Sequence, residues 1–163
     1  MASIELYPTL RKYSHEQRVE IARRISSLVL DAYRDDVLAI SVSGSTSKKL
    51  DRPYSDLDLI VVVRDGVEIP MKYYLFNGLI VEIEYLQSSK FLNAAEQFTD
   101  NWHWEAEQYR NRIVLHASNQ WFQQLDEAVR KNDAAEPTNA IRKPFMMMTE
   151  SLALLKNALL TDD

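Results

Sequence analysis

The spacing of apolar residues changes character several times along this chain of 163 residues. Ala22, Ile25, Val29 and Ala32 recur every three or four positions, which predicts a helix with one buried stripe. Ser14-His15-Glu16-Gln17 in front of them reads as a capping box, in which a hydroxyl and a glutamine three residues on satisfy free N–H groups. The helix should end near Arg34, before Asp35-Asp36. Val37 to Val42 follows as a short strand. Leu57 to Val63 is apolar almost throughout after Asp58, the pattern of a strand covered on both faces. Met71 to Phe76 and Leu79 to Leu86 flank Asn77-Gly78, a dipeptide that accepts positive φ and marks a tight hairpin. Ser88 or Ser89 can cap a helix reaching Phe98. Glu105 to Arg110 suggests another short helix, Ile113 to His116 a last strand, and Trp121, Leu125 and Ala128 one face of a further helix.

Lys131 to Thr138 is polar, holds Pro137 and reads as a linker. Beyond it, Ile141, Phe145, Met148, Leu152, Leu155 and Leu159 alternate spacings of four and three, the stripe of a helix that packs on other helices. Pro144 falls in its first turns, where proline is tolerated. The pattern divides the chain into residues 1–132, one domain, and 133–163, a linker with the first helix of a truncated or minimal helical region. The fold class expected is α+β (mixed α/β): a mixed sheet of about five strands flanked by helices, plus a C-terminal bundle-type helix. A lone helix cannot bury its stripe, so it lies back on the domain, docks in an oligomer, or opens a region cut short.

Composition adds exclusions. A hydrophobic fraction of 46% argues against disorder. No apolar run approaches the roughly 18 residues of a membrane span, and MASIELYPTLRKYS lacks the layout of a signal peptide. A cytoplasmic protein without a membrane partner is the expectation. Without cysteine there is no disulfide or thiolate metal site. A net charge of −5 argues against nonspecific nucleic-acid binding and is compatible with a cationic small-molecule substrate.

Candidate chemistry gathers around "SGSTSKKLDRPYSDLDLIVVV", residues 43–63. Residues i and i+2 of a strand share a face, so Asp56 and Asp58 should project together. Such like charges repel unless a cation lies between them. Magnesium takes carboxylate oxygens and substrate phosphates. Two metals roughly 3.5–4 Å apart are a common apparatus for phosphoryl chemistry. Glu82 and Glu84 alternate with Val81, Ile83 and Tyr85, and Glu82 could supply a third acid. Gly44 lets a ligand approach the backbone, Ser45 adds a hydroxyl, and a helix start here would present N–H groups to phosphate, with Lys48 and Lys49 one turn on. Taken singly, a Gly-Ser is a turn, an Asp-x-Asp a strand end, and alternating glutamates the wet face of an edge strand. Their order points to chemistry.

That order is strand, Gly-Ser, ten residues, Asp-x-Asp, buried strand, hairpin, acidic strand. It resembles the DNA polymerase β-like nucleotidyltransferase superfamily. Within it, "DDVLAISVSGS", "DRPYSDLDL", "IVEIEY" and, more faintly, "DNWHW" are similar to the aminoglycoside (kanamycin) nucleotidyltransferases, over most of residues 14–120. The resemblance implies a polymerase β-like fold with Gly44 and Ser45 on the triphosphate and Asp56, Asp58 and Glu82 binding magnesium, two ions expected. Lys48 stands where the family has an arginine. The implied reaction moves a nucleoside monophosphate from an NTP, ATP expected, to a hydroxyl of an aminoglycoside-like acceptor and releases pyrophosphate. A homodimer is implied as well. Glu150 lies near the place of the family's general base, but the ungapped position is Ser151, and Lys156 is displaced likewise. On its helix Glu150 falls opposite Met148 and Leu152, where a glutamate can simply be solvated. Two other readings stay open: a minimal nucleotidyltransferase that attaches AMP to a partner protein, as antitoxins do, and a non-catalytic nucleotide-binding or dimerisation module.

Overall fold

The structure, a computed structural model, describes residues 9–97, 99, 102–118, 120–134, 148–149 and 151–152. Helix α1 (His15–Tyr33) starts on the expected capping box: the Gln17 N–H donates to Ser14 Oγ at 3.3 Å, and the Ser14 N–H to Gln17 Oε1 at 2.8 Å. It buries Val19, Ala22, Ser26 and Val29, and also Arg18. Strand β1 (Val37–Val42), the single turn α2 (Gly44–Ser47) and strand β2 (Leu57–Val63) follow. Next come β3 (Lys72–Phe76), β4 (Leu79–Gln87), α3 (Ser88–Glu96), the short α4 (Trp102–Glu105) and α5 (Glu107–Arg110), β5 (Ile113–Ala117) and α6 (Trp121–Ala134).

The strands form one mixed sheet in the order β3-β4-β2-β1-β5. Only β2 and β4 run parallel; every other pair is antiparallel. Leu57, Leu59, Val61 and Val63 pack with Ile40, Val42, Val81 and Ile83 beneath Ala22 and Val29 of α1. Ile60 and Val62 lie on the opposite core with Phe91, Ala95, Trp121, Phe122, Leu125 and Ala128 of α3 and α6. Central β2 is thus covered on both faces, which explains its unbroken apolar run. By the two-residue period, Asp58 of β2 and Glu82 and Glu84 of β4 belong to the α3/α6 side, at the end of the sheet that β1 leaves. The β3–β4 turn carries positive φ at Asn77 (49°) and Gly78 (84°), as its sequence demands.

Two elements differ from expectation. No serine side chain caps α3; Gln87 is the cap residue, and the Ser89 N–H donates to Asp65 Oδ1 at 2.8 Å. Helix α6 runs on through Lys131–Ala134, which the polar pattern assigned to a linker. Tertiary contacts hold this turn: the Asn132 amide donates to the Ala95 carbonyl at 2.8 Å, the Trp102 indole to Asp133 at 3.1 Å, and Arg110 pairs with Asp133. Of the C-terminal stripe, Met148 and Leu152 are described, and both are exposed. Among the described residues no helix is long and apolar enough to cross a membrane.

Candidate active site

Gly44 leaves β1 with φ at +63°, a conformation costly for any residue with a side chain. Beside it the Ser43 N–H donates to the Asp58 carbonyl at 2.9 Å, tying the turn to the start of β2. A cavity of about 510 Å³ opens over this end of the sheet. Gly44, Ser47 and Lys48 line one side, Asp58, Glu82 and Glu84 the sheet, and Glu105 and Glu107 of the α4–α5 segment another wall.

Asp58 and Glu82 are register partners on adjacent parallel strands, so their side chains stand side by side, with the strands about 4.8 Å apart. Burial, then the charge of Asp56, then that of Glu82 push the Asp58 carboxyl up to about 6. Burial and the charge of Glu82 also raise Glu84. Asp56 departs from expectation: β2 begins at Leu57, so Asp56 is an exposed loop residue and the shared-face rule does not place it. Its charge nonetheless reaches Asp58.

Whether these residues suit a divalent cation can be tested on their own chemistry. As placed, no three carboxylate or imidazole groups among the described residues are gathered tightly enough to enclose an ion. The donor set still fits one. Hard carboxylate oxygens are brought together against their mutual repulsion. The Ser45 hydroxyl, one residue past Gly44, is buried with no hydrogen-bond partner among the described residues, as is that of Thr46.

Lys48 is the only cation among the described lining residues, and its Nζ lies 3.4 Å from Glu107 Oε2. The helix start expected at Gly44-Ser45 is one turn, after which Lys49 turns the chain at φ 55°. Glu105 accepts from the Thr99 hydroxyl at 2.7 Å, and Glu107 from the Asn111 amide at 3.2 Å. Trp102 is buried against Tyr109, a core role. His116 lines a different cavity, near Arg34 and Arg64. Glu150 and Lys156 lie outside the described residues, as do the side chains of His103 and Trp104.

Pattern reading missed Arg18. Its side chain is 1% exposed and donates through every nitrogen to the segment ahead of Asp56. The signal was present: Arg18 lies four residues before Ala22, in line with the buried stripe of α1.

Comparison with known proteins matches residues 20–114 to the nucleotidyltransferase domain, the span that contains the Gly44 turn and the three acids. The chain belongs to this nucleotidyltransferase family. It is similar to aminoglycoside nucleotidyltransferase (4') from Bacillus sp and to that from Staphylococcus aureus, in each case 25% identical over 128 residues. These cover 78% of this chain but 51% of the relatives, so the chain spans about half their length. Among solved structures, a nucleotidyltransferase-like protein from Exiguobacterium sibiricum aligns with TM-score 0.42 and 21% identity, covering 66% of this chain and 38% of its own. A toxin-antitoxin structure with AMP-PNP aligns with TM-score 0.38 and 11% identity, covering 84% of this chain and 98% of its own. Nucleotidyltransferases of this kind generally use an NTP and a divalent metal.

Proposed function

We propose that this nucleotidyltransferase moves a nucleoside monophosphate, AMP from ATP, to a hydroxyl of a cationic, aminoglycoside-like small molecule. The observation that carries the reading is the pairing of Asp58 with Glu82 under the Gly44 turn, at the floor of one cavity. In this reading Asp56, Asp58 and Glu82 hold magnesium, two ions in all. Bound there, magnesium neutralises phosphate charge and lowers the pKa of the acceptor hydroxyl.

The remaining roles belong to the chain. The positive φ of Gly44 turns the backbone toward the triphosphate, and the Ser45 hydroxyl donates to it. Lys48 exchanges Glu107 for phosphate oxygens as the nucleotide enters. The acceptor oxygen attacks the α-phosphorus, the bond from that phosphorus to the bridging oxygen breaks, and pyrophosphate departs. The hydroxyl proton passes to a carboxylate, the role offered to Glu150. Glu84, Glu105 and Glu107 give the cavity a negative wall suited to ammonium groups, in keeping with the acceptors named for the similar proteins. Residues 133–163 and a second copy of the chain would complete the acceptor side.

The test is incubation with magnesium and ATP labelled at the α-phosphate, across a panel of aminoglycosides and simpler polyols. Pyrophosphate release with label on an amine-bearing acceptor supports the reading. No transfer to any of them, or label appearing only on a protein, overturns it.

A further inference from the structure

Arg18 is a cation sealed inside the protein, and what it holds is the loop that delivers Asp56. Its Nε donates to the Ser55 carbonyl at 3.1 Å. Nη1 donates to the Tyr13 carbonyl and to Asp51 Oδ2, both at 3.0 Å. Nη2 donates to the carbonyls of Arg52 at 2.6 Å and Pro53 at 3.0 Å. A guanidinium has five N–H groups in a fixed planar fork, and all five are used. Asp51, 2% exposed, takes His15 Nδ1 on its other oxygen at 2.9 Å. The loop closes on itself as well: the Ser55 N–H donates to the Arg52 carbonyl at 3.0 Å, and the Arg52 N–H to Ser55 Oγ at 2.9 Å.

Such a network is an expensive way to gain stability, because a buried ion pair forfeits hydration that apolar packing would not. What it specifies is backbone position. Three of its acceptors are main-chain carbonyls of Arg52, Pro53 and Ser55, and Ser55 is bonded directly to Asp56. Asp56 lies outside β2, so no strand ladder fixes it, and repulsion from Asp58 favours its retreat. We infer that Arg18, anchored by Asp51, is a positioning residue that holds the 51–55 loop so that Asp56 stays beside Asp58 and can share a divalent cation with it. Arg18 precedes the residues matched to the nucleotidyltransferase domain, so this support comes from a part of α1 outside that span. The inference rests on the metal-dependent reading of the site.

Manganese alone, titrated into the full chain and followed by electron paramagnetic resonance, tests it without reference to turnover. Arg18→Lys keeps the charge but loses the fork. It should weaken manganese binding roughly tenfold to a hundredfold, the usual cost of losing an outer-sphere support, and lower kcat more than it raises KM for the acceptor. Asp51→Asn, which keeps the shape, should weaken binding in the same direction. Val29→Ala, a cavity in α1 remote from the loop, serves as a control that loses stability while keeping manganese affinity. If wild type binds no manganese, the metal-dependent reading itself falls. If wild type binds and both loop variants bind equally well, the positioning role is wrong and the metal site stands. Loss of fold in both loop variants would also overturn it, leaving Arg18 a structural residue only.

Discussion

The Asp58 carboxylate occupies the space that a side chain on Gly44 would need: a Cβ built there falls 1.9 Å from Asp58 Oδ2. The glycine therefore serves two ends at once, a φ of +63° and room for the acid across from it. Gly44→Ala must either shift the turn or rotate Asp58 away. Misplacement of a reacting group by about 1 Å can lower a rate by about a hundredfold. The expected outcome is a folded variant whose kcat/KM for transfer falls on that scale. Wild-type activity in Gly44→Ala would refute the geometry.

Asp58 also sets a pH dependence whose direction is unusual for an aspartate. Its carboxyl is raised to about 6 in the fold, above its value in the unfolded chain. The folded state therefore holds this proton more tightly, so metal-free protein loses stability as pH rises from about 4 through about 6. The full shift would be worth roughly 3 kcal/mol, and solvent screening of a partly exposed group reduces it to about 1–2 kcal/mol. Asp58→Asn should be more stable than wild type by that amount at pH 8 in chelator, equal to it near pH 4, and inactive. Urea denaturation at both pH values checks this, and added magnesium should close the gap at pH 8 by stabilising wild type alone.

Below pH 4 the slope reverses, through a different aspartate. Burial works to raise Asp51, but the His15 hydrogen bond, a backbone N–H and the charges of His15 and Arg18 outweigh it and hold it below the ordinary carboxylate range. A lowered acid contributes stability above its unfolded value, lost as pH falls through the folded one. Asp51 should thus cost metal-free protein stability on acidification below about pH 4. Asp51→Ala removes the counter-charge of a guanidinium that is 1% exposed. Breaking such a pair costs about 3–5 kcal/mol, readable as a drop in the urea midpoint at pH 7.

How much of this was legible in the sequence follows from how local each signal is. Leu57–Val63 declares itself because both faces of β2 are buried, and Asn77-Gly78 because few other dipeptides accept two positive φ angles. Alternation puts Glu82 and Glu84 on one face of their strand without choosing between them; the choice of Glu82 comes from the family resemblance, and the parallel register sets it beside Asp58. The rest depends on partners distant in sequence. Arg18 falls in line with the buried stripe of α1, but what its charge is for shows only once its acceptors at Tyr13 and 51–55 are folded around it. The last turn of α6 reads as linker until Ala95, Trp102 and Arg110 supply partners. Glu105 and Glu107 join Asp58 in one cavity only through tertiary packing of α4 and α5.

Those two glutamates and Glu84 yield the last expectation. Glu84 is half-buried and raised by burial and by Glu82, so its ionised form is costly until a cation arrives. If that cation is an ammonium of the acceptor, Glu84→Gln removes a charged hydrogen-bond acceptor and leaves the triphosphate side of the cavity intact. Such a bond contributes about 1.5 kcal/mol or more, so KM for an amine-bearing acceptor should rise about tenfold, while KM for ATP moves little. Wild-type KM should also climb with ionic strength, because part of the attraction is long-range, and the variant should show a shallower climb. An acceptor KM indifferent to both Glu84→Gln and salt would mean that the acidic wall does not read the acceptor's charge.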